Sequence, residues 1–165
     1  MRSIALIVLT TLLWSAPLTA APLPQVITLI TVEKAKREMT LWHNKDALKT
    51  YRIALGGNPS GHKQSEGDSR TPEGHYIIDA RNPNSSFHLS LHISYPNRAD
   101  TRAARSRGLS PGGAIMIHGT PEGLTALNAL GFYRDWTAGC LAVSNSEIEE
   151  IFSSVRIGTP IVIRP

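Results

Sequence analysis

After Gln25, apolar positions either alternate with polar ones or gather into short runs bounded by turn residues, which is the spacing of half-buried strands. Val26–Val32 (VITLITV) reads as a first strand, Lys34–Arg37 as a charged turn and Met39–Trp42 as the partner strand. A turn at His43–Asp46 and a third strand at Leu48–Leu55 make the opening a β-meander. Gly56–Gly61 holds too many breakers for regular structure, and the polar stretch to Arg70 extends it into a long loop of the kind that carries function in small domains. Thr71-Pro72-Glu73-Gly74 is a turn with proline at its second position, and it feeds a strand at His75–Ala80. Further strands are predicted at Phe87–Ser94, Ala114–His118 and Pro160–Ile163, with a polar, arginine-rich loop over Asn97–Gly113.

Two segments carry helical spacing instead. Pro121 stands at a first-turn position ahead of Leu124, Leu127, Ala129 and Leu130, with Gly131 as the stop. Ser144-Asn145-Ser146-Glu147 is a capping box, and Ile148, Ile151 and Phe152 follow on one face. Strands dominate, so the pattern predicts a mainly β fold, a sandwich or partly closed barrel with two short helices.

The N-terminus follows another grammar. No charge occurs between Arg2 and Glu33, and the apolar run Ile4–Trp14 is shorter than the roughly twenty residues a membrane span needs. Pro17, Pro22 and Pro24 stop a helix from continuing, and Leu18-Thr19-Ala20 offers a cleavage site. Residues 1–20 therefore read as a secretory signal, residues 21–165 as one exported domain with no stable membrane insertion after cleavage. Hydrophobic residues at 41% and charged residues at 18% exclude a disordered chain. The net charge of +4 is spread without a basic block, which argues against a nucleic-acid partner.

Cys140 is the only cysteine, so the chain has no internal disulfide and no cysteine-cage zinc site. A free cysteine can simply pack as a small hydrophobe. Yet an unpaired thiol in an oxidising compartment is exposed to over-oxidation, and its retention asks for a reason. Two apolar segments end in reactive residues: His118 closes AIMIHG, and Cys140 opens GCLAV. A thiol of ordinary pKa is only about a few per cent thiolate at neutral pH, so a nucleophilic Cys140 needs a base, and His118 is the candidate. Gly139 lets the backbone approach a substrate carbonyl, so its amide and that of Cys140 could hold an oxyanion; a bulge or tight strand entry is the structural alternative. His88 and His92 share a strand face, but no third ligand accompanies them and no metal site is expected. No phosphate-cradling loop or dinucleotide fingerprint occurs, and the chemistry needs no cofactor.

Four segments, Gly67–Gly74 (GDSRTPEG), Phe87–Asn97 (FHLSLHISYPN), Ile117-His118-Gly119 and Asp135–Cys140 (DWTAGC), together resemble the YkuD-type L,D-transpeptidase catalytic domain, in order and across about Val26–Arg164. The resemblance implies a β-rich domain of the periplasm or cell wall that acts on peptidoglycan stem peptides as donor and acceptor and is open to carbapenem-type inhibitors. It implies Cys140 as nucleophile, His118 as general base, and the Gly119 carbonyl as the group orienting the imidazole in place of a triad carboxylate. Thr137 and Gly139 match the Ser/Thr-His-Gly-Cys signature. Ala138 departs from it where many members carry a second histidine, and Ala142 departs where arginine is frequent. Thr137, Trp136, Tyr95 and Arg70 are candidate substrate contacts, with Arg102, Arg105 and Arg107 as further arginines that could meet stem carboxylates. The loops Gly56–Arg70 and Asn97–Gly113 are the expected cleft walls. The chemistry expected is acyl transfer through a Cys140 thioester; a hydrolase on the same fold and a non-catalytic wall-binding module are the alternatives.

Overall fold

The computed structural model describes residues 23, 26–121 and 134–165. The signal expected over residues 1–20 and the helix expected after Pro121 lie outside them. Within them run β1 (Leu29–Glu33), a 3-10 turn (Lys34–Lys36), β2 (Glu38–His43), β3 (Asp46–Arg52), β4 (Gly74–Ser85), β5 (His88–Ile93), α1 (Arg98–Arg105), β6 (Met116–His118), β7 (Leu141–Ala142), α2 (Asn145–Ser154) and β8 (Pro160–Arg164).

The eight strands form one sheet in the order β3-β2-β1-β8-β4-β5-β6-β7. The opening meander pairs β1 with β2 and β2 with β3, both antiparallel. The last strand then enters the middle: β8 runs parallel to β1 and antiparallel to β4, joining the meander to the second half of the sheet. The two ends of the strand order also meet. Beyond β3, Ala54 exchanges both backbone hydrogen bonds with Ala142 of β7, each 2.9 Å, so the sheet curls toward a barrel and leaves few open edge groups. Inside the curl, Ile30, Met39, Leu41, Ile53, Leu91, Ile117 and Leu141 are all essentially inaccessible. α2 lays Ile148 and Ile151 onto this core from outside, and its Ser144–Glu147 capping box satisfies the first free amides.

Several strand ends shift by two or three residues, and three elements depart further from the sequence reading. β4 runs on past Ala80 to Ser85, because bulges between Ile78 and Ala80 and between Asn82 and Ser85 absorb the irregular residues around Pro83. The third strand ends at Arg52, and residues 53–55 leave it to approach β7. The expected arginine-rich loop contains a helix, α1. Asn97 accepts from the amides of Ala99 (2.7 Å) and Asp100 (3.0 Å), and Asp100 accepts in return from the Asn97 amide (2.9 Å). The same Asp100 carboxylate receives the Tyr76 hydroxyl at 3.1 Å and lies 3.3 Å from His62 Nε2. α1 is thus held by its cap and by tertiary polar contacts, with Ala104 its only buried apolar residue.

The long loop 56–70 has a polar core of its own. Lys63, its side chain 3% exposed, donates to Asp68 Oδ1 (2.8 Å) and to the Ser65 carbonyl (3.1 Å). Burial by itself would raise the Asp68 carboxyl, but the Lys63 ammonium and the amides of Gln64, Arg70 and Ser65 outweigh it and hold the group at about 2. An unfolded aspartate titrates at about 3.9. The stability Asp68 contributes is therefore complete above pH ~4 and is lost as pH falls from there toward about 2. Urea unfolding between pH 5 and pH 2.5 should show the midpoint falling more steeply in the wild type than in Asp68→Asn; parallel curves would refute this.

Candidate active site

Strand register brings the two reactive residues together. β6 and β7 are parallel, with Ile117 opposite Leu141 and His118 opposite Ala142. Side chains alternate along a strand, so Cys140, one residue before Leu141, falls on the same face as Met116 and His118. Both side chains line one cleft of about 370 Å³, with Asn82, Ser85, Ser86 and Phe87 from the β4–β5 hairpin, Ala114 and Met116 from the β6 segment, and Trp136, Thr137 and Ala138 from the approach to β7. Among the described residues the walls are thus the hairpin and residues 136–138; the loops 56–70 and 97–113 do not reach this cleft.

His118 is 3% exposed. Its Nδ1 lies 2.6 Å from the Gly119 carbonyl. A carbonyl only accepts, so Nδ1 carries the proton and the neutral ring keeps its lone pair on Nε2. Phe87 packs against the imidazole at 4.5 Å between centroids, and Trp136 meets it edge-on at 5.7 Å. Burial pushes the imidazole pKa below its ordinary value, against the opposing pull of the Gly119 carbonyl. Burial likewise pushes the Cys140 thiol up, opposed by the Met116 main chain and the Lys63 charge. Both shifts favour the uncharged forms, a thiol and a neutral imidazole lining one cleft.

The turn into Cys140 is built by its own side chains. Thr137 Oγ1 donates to the Cys140 carbonyl (2.8 Å) and accepts the Gly139 amide (3.1 Å). The Gly139 amide is therefore spent on Thr137 and is not available to an oxyanion, contrary to the expectation from sequence. Among the described residues the Cys140 amide has no hydrogen-bond partner. Gly139 has another use. It sits at φ +131°, and a Cβ there would lie 2.6 Å from the Arg70 carbonyl and 3.1 Å from Ile115 Cδ1. Gly139→Ala should cost about 1–3 kcal/mol through backbone strain and this clash. Urea titration reads that loss directly, and an unchanged midpoint would sink the argument. Gly119 is equally constrained, since a Cβ would come 2.5 Å from Asn145 Oδ1 and 2.9 Å from Ile148 Cγ2. The absence of a side chain lets α2 close down behind the Gly119 carbonyl.

Not every candidate lies here. Trp136, 42% exposed, lines the cleft and is the more distant of the two aromatic rings that pack on the imidazole. Thr137 shapes the turn. Tyr95 is 3% exposed, packs edge-on against Tyr76 and donates its hydroxyl to the Pro111 carbonyl, so it does not line the cleft. Arg70 abuts Gly139 through its main chain while its guanidinium lies by Gly61, away from the cleft. Arg107 clamps the 56–70 loop through Gln64. His88 and His92 do not form a pair: His88 meets Glu149 of α2, and His92 meets Asp79 of β4. Sequence reading missed Lys63, whose charge reaches the thiol, because a lysine in a polar loop looks like a solvated one. It also missed the hairpin wall, because nothing local says which cleft a hairpin tip will face.

The fold is a curled, mainly β half-barrel that places a cysteine and a carbonyl-oriented histidine in one cleft. Residues 27–163 match the YkuD family, described as the L,D-transpeptidase catalytic domain, and the chain belongs to that family. Among curated proteins it is 29% identical over 132 residues to YafK of Escherichia coli (strain K12), provisionally named an L,D-transpeptidase, with 76% of this chain and 46% of that protein covered. The chain thus spans about half the length of the curated relatives it matches. Among solved structures, the helical cell shape determining protein Pgp2 of Campylobacter jejuni superposes with a TM-score of 0.63 at 22% identity, over 84% of this chain and 47% of that one. Bd1075 of Bdellovibrio bacteriovorus gives 0.59 at 24% identity, over 89% and 53%. The L,D-transpeptidase LdtMt1, solved in complex with imipenem, gives 0.53 at 16% identity, over 82% and 58%. At these identities the structural likeness shows the fold.

Proposed function

We propose that this protein is a cysteine-dependent L,D-transpeptidase of the periplasm or cell wall, exported by residues 1–20. Cys140 Sγ attacks the carbonyl of the third residue of a peptidoglycan stem tetrapeptide as its proton passes to His118 Nε2. The peptide bond breaks, the terminal D-alanine leaves with a proton returned from His118, and a thioester to Cys140 remains. The Cys140 amide is the donor left to meet the oxyanion of the tetrahedral intermediate. An amine acceptor, from a second stem or a protein, then takes the acyl group and frees the thiol. Trp136 and Phe87 give the cleft an apolar wall that keeps water from the thioester, and Thr137 holds the turn that presents the sulfur. Carbapenems would acylate the same sulfur.

The observation that carries this reading is the shared cleft of Cys140 and His118, with the Nδ1 proton held by the Gly119 carbonyl so that Nε2 is the basic nitrogen. Ala138, in place of a second histidine, lines the same cleft, so His118 is the base beside the thiol among the described lining residues. Incubating the purified protein with a disaccharide-tetrapeptide and weighing the products tests it. A cross-linked dimer with loss of D-alanine supports transpeptidation. A tripeptide alone means that water is the acceptor and the protein is an L,D-carboxypeptidase. Unchanged substrate and no carbapenem adduct would end the catalytic reading in favour of a wall-binding module.

A further inference from the structure

We propose that Ser90 is a positioning residue for proton transfer at His118: its buried hydroxyl, on the residue paired with His118 across the β5–β6 ladder, turns a lone pair toward the ring when the imidazolium forms. The proposal rests on the reading of His118 as the base that deprotonates Cys140.

Ser90 and His118 are direct partners in the antiparallel pairing of β5 with β6. Partners in such a pair share a face, with Cβ atoms about 4.5–5.5 Å apart. The row continues to Asn82 of β4, opposite Ser90, at the rim of the cleft. Ser90 is 1% exposed, and its Oγ has no hydrogen-bond partner among the described residues, the only buried side-chain polar atom there in that condition. Leaving a buried hydroxyl unpaired is costly, and alanine at this position would avoid the cost. A hydroxyl kept under that penalty beside a histidine points to a charge state that the resting protein lacks.

That state is the imidazolium. Among the described residues His118 is held by one neutral acceptor, the Gly119 carbonyl, and no carboxylate bonds to it. The acids on neighbouring elements are engaged elsewhere, Asp79 of β4 with His92 and Glu149 of α2 with His88. Asn145, at the start of α2, accepts from Thr120. Phe87 and Trp136 offer only rings, and Lys63 bears on the thiol. A hydroxyl rotates freely, so Ser90 can stay uncommitted at rest and orient as the proton leaves sulfur. It therefore stabilises the transition state more than the ground state. The S–H bond breaks, an Nε2–H bond forms, and Ser90 neither gains nor loses a proton.

The test follows iodoacetamide alkylation of Cys140 against pH in the wild type, Ser90→Ala, Ser90→Thr and His118→Ala, with the His118 ring titrated by NMR and each melting temperature recorded. Both N–H groups of the imidazolium are committed, so Ser90 acts through its dipole: Ser90→Ala should alkylate about 3–10-fold more slowly at neutral pH and lower the His118 pKa by about half a unit to one unit. Its melting temperature should not fall, and Ser90→Thr should restore most of the rate. A wild-type profile and pKa in Ser90→Ala, with His118→Ala slow, overturns the role of Ser90 alone. So does a slow Ser90→Ala that melts early and is not rescued by threonine. Wild-type alkylation in His118→Ala instead overturns the reading of His118 itself.

Discussion

Cys140→Ser is expected to abolish turnover of a disaccharide-tetrapeptide, a fall of about 10⁴-fold or more, and to remove the covalent carbapenem adduct from the intact mass. A hydroxyl is far harder to ionise than a thiol, so the demand on the base rises steeply. In serine enzymes that demand is met by a histidine backed by a carboxylate, which stabilises the imidazolium. Here the imidazole is oriented by the neutral Gly119 carbonyl and is further discouraged from charging by burial. Such a base suits a thiol and fails a hydroxyl. The serine variant should fold as the wild type does, since Cys140 is only partly buried. Near-normal turnover in Cys140→Ser would mean that the sulfur is not the nucleophile.

His118→Gln is the second large effect. Glutamine keeps a polar side chain of similar reach and removes the proton acceptor, so turnover at neutral pH should fall about 10²–10⁴-fold. The variant's pH profile is the sharper measurement. With His118 as the base the neutral ring would be the active form, so the lowered imidazole pKa should place the wild-type acid limb below about pH 6.5. In the variant only thiol that ionises unaided can react, and burial pushes that ionisation up. Its rate should therefore climb with pH across the neutral range, and the gap to the wild type should narrow toward the thiol pKa. A constant ratio of the two rates from pH 6 to pH 9 would exclude His118 as the base.

The hairpins of the opening meander, β8 and α2 are legible along the chain because their determinants are local: alternation, turn residues and the Ser144–Glu147 box lie within a few positions of each other. α1 is not, because Arg98–Arg105 has no apolar stripe; the Asn97 cap is local, but Asp100 is anchored by Tyr76 and His62 from elsewhere in the chain. Tyr95 sits beside the expected cleft in the family-like segment, yet a strand leaving the sheet turned its ring into the core. Arg70 carries a charge suited to a carboxylate, yet the approach of its carbonyl to Gly139 faces the guanidinium elsewhere.

From the residues alone came the identity of the groups able to react: one thiol, a histidine at a strand end, and glycines where the chain must pass closely. Their meeting came from long-range pairing. β6 and β7 lie side by side in parallel, an arrangement that no local pattern encodes, and one step of slippage would turn Cys140 to the opposite face. The same holds for Lys63, whose burial depends on a loop closing around Asp68, and for the Gly139 amide, which a threonine hydroxyl claims before any substrate arrives. Chemistry belongs to side chains and can be read one residue at a time; geometry belongs to pairings between distant residues, and those exist only once the chain has folded.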